Sequence, residues 1–289
     1  MKNTVIIILF AMSLLSSCTI RQDYNQQLLK ADSLMQLRPD SALNILKSIS
    51  PEKLSTRADN AYYALLLTQA QDKNFVVQKD DSLIRIAVHY YDSIGDTKMQ
   101  AKAHYYWGCV YRDMNQQAEA IREFFIAAPL TEKVKEKRQL GLIYNNIGYI
   151  YNIQEFNQKA DSIYRLMEVI AKELRDTTLW SEALSRQASI DLMKGENYFP
   201  IAEQKLLDAL VAVDKMKNDG LKANISASLS NLYNRMEQKE KALHYAKLNL
   251  SLRRDTARAY RAFFILGDAY YKSEQYDSAT SVSYTHLRA

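Results

Sequence analysis

The hydrophobic and small residues of this chain recur with a period of about forty. Tyr105-Tyr106-Trp107-Gly108-Cys109-Val110-Tyr111 aligns with Asn145-Asn146-Ile147-Gly148-Tyr149-Ile150-Tyr151, the two glycines lying 40 residues apart. In both copies a Tyr follows the Gly by three residues, an Ala by twelve (Ala120, Ala160) and an aromatic by sixteen (Phe124, Tyr164). Gly267 opens a similar copy with Tyr270 and Ala279, and Ser230 another with Tyr233 and Ala242. The copy centred on Ala188 departs, with Asp191 in the Tyr place and its later Ala at Ala202. Polar turns holding one or two aromatics, such as Glu155-Phe156-Asn157-Gln158, divide each copy. Asp96, Asp176 and Asp255, each followed by Thr, precede the small residue by twelve; Glu136 and Asp219 hold similar places. An acidic residue there caps a helix start and suits its positive end. Each copy therefore predicts helix, turn, helix.

Upstream, Asp59–Gln71 and Asp80–Ile94 predict one divergent helix pair, and Arg38–Leu46 a capping helix with Pro39 in its first turn. Phe75-Val76-Val77 is too short to matter as a strand. Pro129 is predicted to end or kink its helix early.

Composition narrows the classes. The chain has 7 Gly and 4 Pro in 289 residues, about 4% against roughly 12% in ordinary proteins. That excludes turn-rich β folds and glycine-rich phosphate loops, while 47% hydrophobic and 25% charged residues exclude disorder. Gly108, Gly148 and Gly267 are expected at helix contacts, Gly95, Gly195 and Gly220 in turns, and Gly141 at a helix start. A net charge of +5 without a basic block gives no reason to expect nucleic acid. Four scattered His (His89, His104, His244, His286) show no metal-ligand spacing, and neither metal nor cofactor is expected. No nucleophile elbow or zincin motif is present. Cys109 reads as a packed or groove-facing thiol, and Asp80-Asp81 as a cap for the helix that follows. Of the 20 tyrosines, Tyr111, Tyr151, Tyr164, Tyr233 and Tyr270 are accounted for by repeat packing; an aromatic sugar platform is the other reading.

The copies resemble the tetratricopeptide repeat, whose later signature positions are matched by Gly108, Tyr111, Ala120, Phe124 and Ala127. The resemblance implies an all-α, right-handed superhelical solenoid of antiparallel helix pairs. Spacings of 40, 40, 42 and 37 between small residues exceed the usual 34, so longer helices are expected. In this family the first helix of each pair lines a concave groove. Carried over by register, the groove positions include Tyr105, Arg112, Asn145, Asn146, Tyr149, Asn152, Arg186, Asn231, Asn234, Arg235 and Asp268. Asn can pair with an extended peptide backbone and Arg can grip a carboxylate; a solvated polar face without a ligand is the other reading. Of the family's five carboxylate-clamp positions only Asn146 and Arg186 match; Tyr105, Cys109 and Glu182 hold the rest.

Met1-Lys2-Asn3 and the apolar run Val5–Leu15 fit a signal peptide, too short to span a bilayer. Leu15-Ser16-Ser17-Cys18 resembles the lipobox of bacterial lipoproteins, which implies cleavage before Cys18 and acylation of it; an ordinary secretory signal with an incidental Cys is the alternative. Thr19, where Asp would signal retention, favours the outer over the inner membrane. The expected organisation is a lipoprotein signal peptide over 1–17, a lipid-anchored N-terminus with capping helices over 18–58, the divergent pair over 59–95, repeats over 96–280, and a truncated or non-native tail over 281–289. That tail breaks the pattern and resembles translated adapter DNA.

The expected protein is a lipid-anchored, non-catalytic scaffold of the bacterial cell envelope, facing the periplasm. Its partners are a protein or peptide in the groove and a membrane through Cys18. The alternatives are the ligand-sensing half of a signalling protein whose transmembrane and effector regions are missing, and a glycan-binding lipoprotein of an outer-membrane importer.

Overall fold

The computed structural model describes residues 26–253 and 256–288. The signal peptide, Cys18 and Asp255 lie outside the described residues. Two compact units divide the chain, the first ending at Glu136 and the second beginning at Lys137.

The first unit holds α1 (26–34), α2 (Pro39–Ser48), α3 (Arg57–Lys73), α4 (Ser82–Ile94), α5 (Thr97–Asp113) and α6 (Gln117–Lys133). The second holds α7 (Lys137–Ile153), α8 (Asn157–Leu174), α9 (Thr177–Lys194), α10 (Phe199–Asp214), α11 (Asp219–Arg235), α12 (Lys239–Ser251), α13 (Thr256–Lys272) and α14 (Tyr276–Arg288). No strand occurs among the described residues, and no helix there is long and apolar enough to cross a membrane. The first helices of the repeats, α5, α7, α9, α11 and α13, run 17 or 18 residues, and this length accounts for the long period.

Two helix pairs, α5 with α6 and α7 with α8, close on a small-to-large contact. A Cβ on Gly108 would sit 2.6 Å from the Phe124 ring, and one on Gly148 would sit 2.4 Å from Tyr164. Both rings are fully buried, worth about 2–3 kcal/mol apiece in transfer free energy. At Ser230 the residue sixteen on is Ala246, also buried, and the Ser hydroxyl donates to the Ala242 carbonyl at 3.0 Å. At Gly267 the corresponding residue is Ser283, whose hydroxyl oxygen would lie 3.7 Å from an added Cβ, an ordinary contact. The register also extends upstream: Thr68, 40 residues before Gly108, is buried on α3, and Ile84, sixteen further on, is buried on α4.

The turns explain how so few glycines suffice. Asn115, Glu155, Glu237 and Glu274 take left-handed φ of 58 to 63°, a conformation that usually favours Gly. In each case the next residue's N–H donates to the carbonyl of the repeat tyrosine: Gln116 to Tyr111, Phe156 to Tyr151, Gln238 to Tyr233 and Gln275 to Tyr270, at 2.8–3.0 Å. These bonds satisfy carbonyls that a helix end leaves open. Lys135 and Arg175 close α6 and α8 in the same left-handed region. Gly95 and Gly195 do sit at positive φ.

Several local expectations are corrected. α6 runs through Pro129 to Lys133. The missing N–H would have met the carbonyl of Phe125, four residues earlier, and both residues lie on the exposed face, where water can serve it. Gly141 is not a helix start but a second close approach, its Cβ place lying 2.5 Å from Leu179 of α9. Gly220 lies inside α11, whose cap is Asn218 rather than Asp219, accepting from Leu221 N at 3.1 Å. Asp96 and Asp176 cap as expected, accepting from Met99 N and Leu179 N. Asp80 caps α4 through Ser82 N at 3.0 Å. Asp81 does not: it pairs with Arg85 and accepts from Trp107 Nε1 (3.1 Å) and Tyr111 OH (3.0 Å), tying α4 to α5.

His104 is the one scattered histidine with a defined role among the described residues. It is buried on α5, its Nδ1 2.6 Å from Glu123 of α6 and its Nε2 3.3 Å from Asp92 of α4. Burial opposes its protonation, but the two carboxylates outweigh burial and raise its pKa above 6.5.

Gly148→Ala is expected to lower the thermal unfolding temperature, at a cost of about 1–3 kcal/mol for overpacking against Tyr164. Gly267→Ala is expected to raise it, since the methyl has room and Ala gains about 1 kcal/mol of helix propensity. Stabilisation from His104 should be complete below about pH 6.5 and decline as pH rises through its higher folded value. The gap in urea midpoint between wild type and His104→Gln should accordingly shrink on the alkaline side; a gap that widened there would refute the assignment.

Candidate functional site

A cleft of about 580 Å³ lies in the second unit, built mainly from the first helices α9, α11 and α13. Its floor is open because α11 presents small side chains there: Ala227, Ser228 and Ser230, with Asn231 beside them. The walls are taller, with Arg186 on α9 and the largely exposed Phe264 on α13.

The repeat register places the lining in rungs. Six residues before each small residue stand Glu182, Asn224 and Arg261; two before stand Arg186, Ser228 and Ile265; one after stand Ser189, Asn231 and Asp268. Asn234 continues beyond them and donates to Asp268 Oδ2 at 3.1 Å, which also pairs with Lys272. Arg253 donates to Asn224. Glu182 and Arg261 form no ion pair or side-chain hydrogen bond among the described residues. Burial pushes the Glu182 carboxyl above the ordinary glutamate range, against the pull of Arg186 and Arg138.

Asn249 of α12 also lines the cleft and is 1% exposed. Its Nδ2 donates to the Ala223 carbonyl at 2.6 Å, whereas its Oδ1 is buried without a donor among the described residues. A buried acceptor left open costs about 1–3 kcal/mol.

The structure sorts the residues that the register assigned to a groove. Arg186, Asn231, Asn234 and Asp268 line the cleft. Asn145 and Tyr149 stand beside it through Arg186, whose Nε donates to Asn145 Oδ1 at 3.2 Å and whose guanidinium lies 5.7 Å from the Tyr149 ring. Asn152 lies further along α7 and donates weakly to Asn157 at 3.4 Å and to the Met193 sulfur at 3.7 Å.

Four assignments are corrected. Tyr105 is buried, its ring packed on Tyr106 and Phe124 at centroid distances of 4.9 and 6.0 Å, so it faces the core of the first unit. Arg112 pairs with Asp72 and Asp113 at 2.9 Å each and binds α5 to α3. Asn146 is buried and donates back to the Leu142 carbonyl at 3.0 Å. Arg235 donates to the Leu192 carbonyl at 2.7 Å and lies 5.0 Å from the Phe199 ring, holding the end of α9. Glu182 holds a clamp position by register; Asn224 and Arg261, on the same rung, were findable by counting one turn further back along each first helix. Nothing in the local sequence marks Asn249 or Arg253.

The cleft offers amides, hydroxyls and charges of both signs. It can hold polar and charged groups, and none of its lining side chains is an activated nucleophile. Cys109 is in the other unit, fully buried, and burial keeps its thiol neutral. Among the described residues no cluster of His, Cys, Asp and Glu is arranged to hold a metal.

This is the architecture of a tetratricopeptide-like repeat protein. By sequence the chain matches no protein-family model and no curated protein. By structure it is similar to a Rap protein complexed with Competence and Sporulation Factor, at 14% identity and a TM-score of 0.73, covering 93% of this chain and 76% of that one. It is similar to the apo quorum sensor NprR from B. thuringiensis, at 12% identity and a TM-score of 0.64, with the same coverages of 93% and 76%. It also resembles the STAND protein PH0952 of Pyrococcus horikoshii, which carries a tetratricopeptide repeat sensor, at 13% identity and a TM-score of 0.68; 99% of this chain matches 45% of that protein. At these identities the likeness defines the fold.

Proposed function

We propose that the protein is a non-catalytic scaffold that binds a peptide or an extended protein segment in the cleft of its second unit. The observation that carries this reading is the cleft itself, a polar channel crossing three first helices and lined by Asn224, Asn231 and Asn234. Asn amides can pair with the N–H and C=O groups of an extended backbone without reading its side chains. A Rap protein of similar fold has been solved with a factor bound, which supports a binding role for such an array.

The proposal includes a membrane anchor. Cys18 in Leu15-Ser16-Ser17-Cys18 is the lipid acceptor, the mature chain faces the periplasm, and Thr19 in place of a retaining Asp favours the outer membrane over the inner. A single acyl chain binds membranes only marginally, and several give stable attachment. A second reading, that the repeats are the sensing part of a signalling protein, is favoured by two fold neighbours that are themselves sensors.

Two measurements test the proposal. Cys18→Ala should abolish both the acyl mass increment and partitioning into detergent; an unchanged mass would remove the anchor. Titration of the full chain with a random heptapeptide pool should show saturable retention that Asn231→Ala and Asn234→Ala together weaken about tenfold, the sum of two lost hydrogen bonds of about 0.5–1.5 kcal/mol each. Retention untouched by the double variant would move the site elsewhere.

A further inference from the structure

Three groups in the cleft make no hydrogen bond or contact ion pair among the described residues, and their placement is ordered. Glu182 and Arg261 occupy the same rung on α9 and α13, the two outer helices, with α11 between them. Arg261 is exposed and Glu182 half-buried, and neither makes a contact ion pair among the described residues; Arg186 and Arg138 act on Glu182 only through the field, while Arg253, Arg186 and Asp268 each hold a protein hydrogen-bond partner. On α12, which packs against α11 and α13, the buried Oδ1 of Asn249 also lacks a donor.

Helix pairs pack about 8–10 Å apart. Two such steps separate Glu182 from Arg261 by roughly 20 Å, which an extended chain at about 3.3 Å per residue covers in about six residues. The small side chains of α11 leave that path clear. A ligand completing all three groups must bring a cation to the α9 wall, an anion to the α13 wall and an N–H to the floor.

From this arrangement we infer that the cleft selects a linear peptide segment with an ammonium or guanidinium group at one end, held by Glu182, and a carboxylate at the other, held by Arg261. A backbone N–H between them completes Asn249. This inference rests on the peptide-binding reading above and adds charge selection to it. The two charges can come from the peptide's own free ends or from side chains, and a test can separate these sources. Free ends fix the direction of the chain, amino end on α9 and carboxyl end on α13.

The test uses the full chain, immobilised in detergent, and an equimolar pool of synthetic heptapeptides in four forms: free ends, N-acetylated, C-amidated, and both blocked. A fifth pool is blocked at both ends and carries Lys at the first position and Glu at the last. Retained peptides are read by mass spectrometry against wild type, Glu182→Gln and Arg261→Gln, with circular dichroism confirming that each variant is folded. Wild type should retain the doubly charged pools about tenfold or more over the blocked pool. Glu182→Gln should lose only the discrimination against loss of the cation, and Arg261→Gln only that against loss of the anion. Preference for the free-ended pool assigns the charges to the termini, and preference for the Lys/Glu pool assigns them to side chains. If both variants keep wild-type discrimination, or weaken every pool equally, charge selection is overturned while peptide binding stands. If wild type retains no pool, peptide binding falls as well.

Discussion

The best-packed helix pairs of this fold depend on two helices coming close enough for one to lay a ring on the other's backbone. Gly108 against Phe124 and Gly148 against Tyr164 set that distance, because any Cβ at either glycine would fall inside van der Waals contact with the ring. A buried ring gains its transfer free energy only when nothing intervenes, so the glycine is as necessary as the aromatic. The helix loses about 1 kcal/mol in propensity for each such glycine, a loss the ring's burial offsets. Where the large partner is absent the demand on the small one relaxes: Ser230 faces Ala246 and uses its hydroxyl instead, and Gly267 faces Ser283 with room to spare.

The scarcity of glycine also shapes the turns. A chain with few glycines must close its helices with side-chain-bearing residues in the left-handed region, and Asn115, Glu155, Glu237 and Glu274 do so. The strain is tolerated because each turn gains the bond to the repeat tyrosine's carbonyl and because, in two of the copies, the tyrosine is itself fixed. Tyr111 donates to Asp81 and Tyr233 to Glu203, thirty residues upstream in both cases. There the tyrosine three residues after the small one links the end of its own helix to the second helix of the preceding pair. Its recurrence along the chain follows from this double duty.

Helix pairs, their register and their unusual length were legible because they arise from local period and from residues that act where they stand. What sequence could not supply is the direction and partner of long polar side chains. Arg112 and Arg186 are both groove positions by count, yet Arg112 meets Asp72 one repeat upstream and is held there, whereas Arg186 meets an Asn and a ring and stays in the cleft. Arg235, also a groove position by count, reaches an open helix end nearer than the groove. Asp81 holds a cap's place in the sequence and acts as a crosslink because Trp107 and Tyr111 reach it. His104 belongs to no motif, since its partners Asp92 and Glu123 come from two other helices. In each case the deciding partner lies on another helix, at a separation no local pattern encodes.

The position of the cleft follows from the same constraint. In the pairs of α5 with α6 and α7 with α8 the large ring sits between the two helices of a pair, and α5 carries bulky neighbours, Tyr105 and Tyr106, that turn inward and fill the space around it. From α11 onward the residue sixteen after the small one is Ala246 or Ser283 in place of a ring, and past Leu221 the face of α11 in the cleft is Ala, Ser and Asn. Small residues on that face open a channel, and polar ones keep it from collapsing onto itself as an apolar surface would. Glu182, Arg261 and the Asn249 oxygen form no hydrogen bond or ion pair with one another across the channel. Other buried polar atoms without a partner among the described residues, such as Gln69 Oε1 and Thr131 Oγ1, are scattered through the helix pairs, whereas the Asn249 oxygen stands in an open cleft that Glu182 and Arg261 also line, and that setting is the reason to look for a ligand there.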